Sequence, residues 1–330
     1  MAEVIPARPH ETPHPGEHLK DYLDSQGMSQ TEFCRRAGVS EKHVSQIISG
    51  KAGITADMAV TIEQVLGGGA AMWVNMDAAH RLRRAREQQA RIAADSVEWA
   101  ARFPVSDLRA RGVIHAKRMG PAVAEELFRF FAVATAEEWD AVYGVATARY
   151  RQSTAYAASL YSNAAYLRIC ELKSDLEDLA AFDRTALESA LQTVRSRLGE
   201  HPEALLSEAR DLLRPCGVAL VIEPALSGAR LNGAAFWPRR NRAIIALTGR
   251  FATADHLWFS FFHESAHLLL HRERDVVEID NGCGDLENEA DSFARDILTG
   301  MLQHDGCLGH ESYMELKRPV DLSMGNDASA

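Results

Sequence analysis

The stretch at residues 261–268 most constrains how this chain can fold, because it places three chemically active side chains inside an apolar run. It reads H-E-x-x-H, with His263, Glu264 and His267. On a helix, residues four apart lie on one face, so both imidazoles can reach one metal ion. Glu264 can then hold a water molecule beside that metal, which is the arrangement of zinc peptidases.

The apolar residues around this motif predict a buried helix over residues 256–271, with Asp255 as its N-cap. Buried polar groups need partners, and a metal ion would satisfy the histidines and the glutamate together. The alternative is two core histidines beside a salt-bridged Glu264. His271 lies too far along the helix to join His263 at one metal, so we expect it at the surface or behind the ligands.

A second helical pattern, over residues 285–298, supplies candidate carboxylates for the third ligand, and Gly300 is expected to end that helix. Glu287 and Asp291 lie about 40° apart around the helix axis, whereas Glu289 projects about 200° away from Glu287. We therefore predict Glu287 as the third zinc ligand. Asp291, one turn further on, can hold the free ring nitrogen of a zinc-bound histidine.

Near the N-terminus, two short helical patterns flank a turn that contains glycine. Ser29 and Ser40 are predicted to cap the two helices, and Gly38 to end the first of them. This pattern is typical of a helix-turn-helix. The second helix predicts an outward face of polar groups suited to DNA base edges, with a phosphate contact at the start of the first helix. The predicted DNA-contacting residues are Gln30, Glu41, Lys42, Ser45 and Gln46.

Charge and cysteine content exclude several classes of protein. The net charge is −10 and the sequence pI is about 5.7, which argues against bulk, non-specific binding of nucleic acid. The 5 cysteines are widely spaced and form no C-x-x-C pair, as in reduced cytosolic proteins.

No run approaches the roughly 18 apolar residues of a membrane span. We expect a cytoplasmic protein that does not interact with membranes.

The predicted fold class is mainly α with a small β-sheet (α+β). Its parts are a helix-turn-helix bundle, a helical connector and a C-terminal zincin-like (gluzincin) metallopeptidase domain. Three short strands are expected at residues 218–222, 228–237 and 242–248. The predicted segments are a flexible leader at 1–12, the DNA-binding domain at 13–90, the connector at 91–205, the metallopeptidase domain at 206–300 and a tail at 301–330.

The N-terminal part resembles the Xre-type helix-turn-helix, and more narrowly the HigA antitoxins. The resembling residues are His14-Pro15-Gly16-Glu17, Leu19, Leu23, Gly27-Met28-Ser29-Gln30, Gly38-Val39-Ser40, Gly50-Lys51, Ile54-Thr55, Ala59, Leu66-Gly67 and Met72-Trp73-Val74-Asn75-Met76. The resemblance implies a homodimer that binds a palindromic double-stranded DNA operator. For HigA it also implies neutralisation of a ribonuclease-type toxin.

The C-terminal part resembles the ImmA/IrrE metallopeptidases over most of residues 100–300. The resembling residues are Gly217-Val218, Leu231-Asn232-Gly233-Ala234, Ile244-Ile245-Ala246-Leu247-Thr248, the run from Trp258 to His271, and Glu287-Asn288-Glu289-Ala290-Asp291-Ser292-Phe293-Ala294. The resemblance implies cleavage of a repressor or antitoxin protein in a stress, phage or toxin–antitoxin circuit. The chain departs from the family in the short polar segment that follows Leu298.

Three functions therefore follow from the sequence, and the third, which is favoured least, is a module that only binds a toxin. The first is a regulatory zinc metalloendopeptidase fused to a DNA-binding domain, with zinc on His263, His267 and Glu287, and with Glu264 as the general base. The second is a HigA-like DNA-binding antitoxin or transcriptional repressor whose metal domain is a sensor or is catalytically silent.

Overall fold

A computed structural model of the chain describes residues 14–143, 154–175, 177–239, 242–250, 253–271 and 285–304. The chain divides into two compact units, residues 1–94 and residues 95–330. The predicted leader lies outside the described residues, as do Cys283, Cys307 and residues 305–330. None of the described helices is long and apolar enough to cross a membrane.

The first unit is helical. Its helices are α1 (Pro15–Ser25), α2 (Gln30–Ala37), α3 (Glu41–Ile48), α4 (Ala56–Leu66) and α5 (Ala70–Asp95).

Local capping explains where these helices begin. The hydroxyls of Ser29, Ser40 and Thr55 each accept the backbone N–H three residues on, at 3.2 Å, and such a cap contributes about 1 kcal/mol. Gly38 ends α2 in the left-handed conformation, at φ +66°. The predicted helix-turn-helix is confirmed, with Val44 and Ile47 of α3 fully buried in the core of the unit.

The second unit begins with helices and continues into a small sheet. The helices are α6 (Val97–Ala100), α7 (Val105–Ala110), α8 (Pro121–Phe131), α9 (Ala136–Tyr143), α10 (Thr154–Ser174), α11 (Arg184–Ser196) and α12 (Pro202–Leu213), with a 3-10 turn at Arg214–Cys216. The remaining elements are β1 (Val218–Ile222), β2 (Gly233–Arg239), β3 (Arg242–Leu247), α13 (Ala254–Leu270) and α14 (Asp285–His304).

The sheet is mixed, with strand order β1-β3-β2. β1 runs parallel to β3 and pairs Leu220 with Ile245, whereas β2 runs antiparallel to β3 and pairs Gly233 with Leu247. The described residues are mostly helical and contain one small three-stranded sheet, so the predicted mainly α architecture is confirmed. β2 lies at one edge of the described sheet, and α13 packs against it.

The second predicted strand was wrong at its start, since β2 begins at Gly233 rather than at residue 228. The backbone before it is bonded elsewhere. Arg230 N–H donates to the side-chain oxygen of Asn163 on α10, and the carbonyl of Asn232 accepts both the N–H and the hydroxyl of Thr248. The Arg230 N–H is therefore not available to a strand ladder, whereas the bond from Thr248 N–H to Asn232 continues the β2–β3 register by one pair.

Two helix ends also differ from the predictions. Thr253, not Asp255, is the N-cap of α13, and Asp255 lies in its first turn, accepting from His256 N–H at 3.1 Å. α14 passes through Gly300 to His304, because a single glycine costs a helix only about 1 kcal/mol. The predicted boundaries at 90/91, 205/206 and 300/301 fall inside α5, α12 and α14.

One hydrophobic core joins α11, α12, the sheet, α13 and α14. The apolar side of α13 enters it through Phe261 and Phe262, both fully buried. Because these side chains fix the rotation of α13, the three polar residues of its H-E-x-x-H motif point away from that core. This rotation directs them towards α14 and the start of β2.

Close approach of α1 to α3 depends on Gly16, the second residue of α1. A Cβ atom at Gly16 would lie 2.0 Å from the carbonyl oxygen of Ile47 in α3. The backbone of α3 can therefore sit against α1 only when residue 16 has no side chain.

We predict that Gly16→Ala lowers the opening free energy of the first unit by about 1–3 kcal/mol, because the added methyl group forces the two helices apart. Hydrogen exchange of α3 amides in the full chain, followed by mass spectrometry, measures this. Gly69→Ala is the matched control, since a Cβ there meets nothing within 4 Å. Equal exchange in the two variants would contradict the prediction.

Candidate metal centre and nucleic-acid interface

Three side chains from α13 and α14 converge at one point of the second unit. Nε2 of His263 lies 3.1 Å from Oε2 of Glu287, and Nε2 of His267 lies 3.4 Å from Oε1 of the same carboxylate. The two Nε2 atoms are 3.1 Å apart. All three side chains are largely buried, at 15–16% exposed. The structure thus brings together the three residues predicted as zinc ligands, and they are a possible metal-binding group.

Each histidine is also held through its other ring nitrogen. Nδ1 of His263 lies 3.0 Å from Oδ1 of Asp291, as predicted for the free ring nitrogen of a ligand. Nδ1 of His267 lies 3.0 Å from Nδ1 of His271, and Nε2 of His271 lies 3.0 Å from Oε2 of Glu289. The sequence placed His271 behind the ligands or at the surface and did not connect it with Glu289.

Glu264 lies beside this cluster and is 8% exposed. Its carboxylate packs against the first residue of β2, since a Cβ atom on Gly233 would lie 2.6 Å from Oε1 of Glu264. Glu264, Gly233, His263 and Glu287 all line a cavity of about 370 Å³. The general base predicted from the motif therefore borders an open space next to the edge strand.

The surroundings set the protonation states of the cluster. Burial lowers the pKa of His267 to about 4, with repulsion from the rings of His263 and His271 opposing attraction by Glu287. The hydrogen bond from His263 lowers the pKa of Glu287. A neutral imidazole and an ionised carboxylate are the forms that bind metal ions.

His263 behaves differently. Burial disfavours its charged form, but the hydrogen bond to Glu287 and the charges of Glu264, Glu287 and Asp291 outweigh burial and raise its pKa. In the absence of a cation, a protonated His263 would bridge the carboxylates of Glu287 and Asp291. This is the metal-free alternative for the same contacts.

In the first unit, four of the predicted DNA-contacting residues lie on α3, and Gln30 is the first residue of α2. Glu41, Lys42 and Ser45 are exposed, and Gln46 is half-buried. Gln30 is also half-buried, and its side-chain amide donates to the carbonyl of Glu41 at 3.3 Å. Gln30 thereby ties the start of α2 to the start of α3.

Comparison with known proteins places this region in a family. The family model described as helix-turn-helix matches residues 19–71. Virulence-associated protein I of Dichelobacter nodosus is 36% identical over 91 residues, which are 27% of this chain and 84% of that protein. The chain belongs to the helix-turn-helix family.

Other similar proteins also match over a short part of the chain. The uncharacterized HTH-type transcriptional regulator YddM of Escherichia coli strain K12 is 32% identical over 75 residues, which are 23% of this chain and 80% of that protein. A solved addiction module antidote protein of a HigA family from Coxiella burnetii is 25% identical. The match covers 24% of this chain and 88% of that chain, with a TM-score of 0.23.

This match identifies the N-terminal region as a helix-turn-helix domain of a DNA-binding regulator. The family model ends at residue 71, so the resemblance of residues 100–300 to the ImmA/IrrE metallopeptidases stays a prediction. The assignment of individual DNA contacts stays a prediction as well.

We predict that Gln46→Ala weakens binding to the operator by about 1–3 kcal/mol while leaving random duplex unaffected, because a glutamine amide can pair with two atoms of an adenine edge. The operator is first selected from random duplexes, and fluorescence anisotropy at fixed salt concentration then compares the two DNAs. Gln64→Ala is the control, since Gln64 is exposed on α4. Equal losses on both DNAs would contradict base recognition by Gln46.

Proposed function

We propose that this chain is a DNA-binding zinc metalloendopeptidase that cleaves a regulatory protein, a repressor or an antitoxin. The observation that carries the proposal is the convergence of two imidazole nitrogens and one carboxylate from α13 and α14, beside an additional glutamate. The first unit supplies the DNA-binding part of the proposal, and the cluster in the second unit supplies the catalytic part.

The spacing of the donor atoms fits a zinc ion. Imidazole and carboxylate ligands bind zinc at about 2.0–2.2 Å, and tetrahedral geometry then separates the ligand atoms by roughly 3.3–3.5 Å. The observed separations of 3.1, 3.1 and 3.4 Å lie in this range or within about 0.2 Å of it. His263, His267 and Glu287 would hold the ion with three protein ligands, the number typical of catalytic rather than structural zinc sites.

A zinc ion bound there would supply Lewis acidity, polarising the scissile carbonyl and lowering the pKa of a water molecule. Glu264 would act as the general base, taking the proton of the attacking water and passing it to the leaving amine. Its position supports this role, because it follows His263 directly and borders the cavity that the ligands line. Asp291 holds the ring of His263 in place during these steps.

A protein substrate would bind in extended form along β2. An edge strand offers backbone hydrogen bonds to a peptide of any sequence, with side-chain pockets providing specificity. β2 is an edge of the described sheet, and its first residue touches Glu264. A peptide added there would pass the general base. The resemblance to ImmA/IrrE peptidases favours a repressor or an antitoxin as the protein that is cut.

The second candidate function is that of a HigA-like antitoxin or repressor whose metal domain senses zinc or is catalytically silent. The match of residues 19–71 and the regulator among the relatives favour it. It includes a homodimer on a palindromic operator and a ribonuclease-type toxin as partner. Operator binding and repression that persist without Glu264, together with copurification of such a toxin, would support this function.

The two functions are separated by Glu264→Gln. We predict that this variant retains one zinc ion per chain but loses cleavage by at least about 100-fold, because an amide cannot take the proton of the water. The assay mixes the zinc-loaded full chain with each protein encoded by neighbouring genes and detects fragments by mass spectrometry. Asp296→Asn is the control, since Asp296 is exposed on α14. Equal cleavage by Glu264→Gln would contradict the peptidase mechanism.

A further inference from the structure

His271 lies at the C-cap of α13, one turn beyond His267, and contacts two groups at once. Its Nδ1 lies 3.0 Å from Nδ1 of His267, and its Nε2 lies 3.0 Å from Oε2 of Glu289. The side chain of His271 is 8% exposed, whereas that of Glu289 is 60% exposed. A largely buried ring thus connects a predicted zinc ligand with a carboxylate at the surface.

The hydrogen atoms in this chain can be assigned from the donor atoms alone. If Nε2 of His267 binds a metal ion, its proton is on Nδ1, and that N–H donates to Nδ1 of His271. Nδ1 of His271 is then unprotonated, so the proton of this ring is on Nε2 and is donated to Glu289. Every donor has one acceptor, and both rings are neutral.

His263 needs no intervening ring, because its Nδ1 contacts the carboxylate of Asp291 directly. Metal-bound histidines usually donate their second N–H to a carboxylate or a carbonyl, which fixes the ring orientation and makes the ligand more basic. His267 has no carboxylate at its own Nδ1 among the described contacts, and His271 takes that place with Glu289 behind it.

We propose that His271 and Glu289 are positioning residues for His267, forming a relay from a surface carboxylate through one imidazole to a zinc ligand. This proposal rests on the proposed function, because it requires a metal ion at His267. The relay fixes which nitrogen of His267 faces the metal and holds its ring in the plane that the other ligands require. His271 and Glu289 touch neither substrate nor metal.

Loss of a partner behind a metal ligand typically weakens metal binding by about 10- to 100-fold. We expect His271→Leu to raise the zinc dissociation constant by this factor while the stoichiometry stays at one. His271→Asn keeps an acceptor oxygen near the place of Nδ1 and is expected to recover most of the affinity. A loss of packing alone would not be recovered by the smaller Asn.

Glu289→Ala tests the outer half of the relay at an exposed position, where folding is not at risk. We expect a smaller increase in the dissociation constant than for His271→Leu, and no additional increase when both changes are combined. Non-additivity is expected because Glu289 acts on His267 only through His271. Asp296→Ala, on the same helix and exposed, is the matched carboxylate control and should leave the affinity unchanged.

The measurement is competition for zinc between the full-length chain and a chromophoric chelator, for the wild type and these variants. The visible spectrum of the cobalt-substituted protein is a second readout, since a reoriented His267 shifts its absorption bands. We expect shifted bands in His271→Leu and wild-type bands in His271→Asn and Asp296→Ala. Glu287→Ala should lose the metal altogether.

Three results would overturn the relay. They are a dissociation constant of His271→Leu within about twofold of the wild type, an equal loss in His271→Asn, or additive losses for His271→Leu and Glu289→Ala. In each case zinc binding by the wild type and its loss in Glu287→Ala would leave the proposed function standing. A wild-type chain that binds no zinc would overturn both proposals.

Discussion

The packing of α13 against α14 brings the side chains of His263, His267 and Glu287 to within 3.1–3.4 Å of one another. The surrounding structure holds these three side chains in place. Such a cluster is unfavourable when buried unless a positive charge lies among its members. A zinc ion supplies that charge in the proposed function, and a protonated His263 supplies it in the metal-free alternative. His263 carries an extra proton only in the metal-free alternative, so the same contacts would bind a metal ion in one case and form ion pairs in the other.

The supports of the cluster come from separate parts of the second unit. Phe261 and Phe262 anchor α13 in the core and set its rotation. Gly233 leaves room for the carboxylate of Glu264 at the start of β2. Asp291 contacts Nδ1 of His263, and His271 contacts Nδ1 of His267. These residues therefore fix the geometry of the cluster, although none of them is one of its three converging side chains.

Much of this arrangement could be predicted from the sequence, because it depends on positions within single helices. The period of an α-helix places His263 above His267 and separates Glu287 from Glu289, whatever the tertiary structure. The capping serines of the helix-turn-helix are similarly local signals. The contact between His271 and Glu289 could not be predicted, because it depends on how α13 and α14 approach each other. The start of β2 at Gly233 could not be predicted either, because the bond from Arg230 N–H to Asn163 joins it to a distant helix.

X-ray absorption at the zinc edge of the purified full chain tests the central claim most directly, because it reports the atoms bound to the metal. The account predicts one zinc ion per chain with only nitrogen and oxygen neighbours at about 2.0–2.2 Å, including two imidazoles. A chain without zinc, or zinc bound by sulfur at about 2.3 Å, would contradict it.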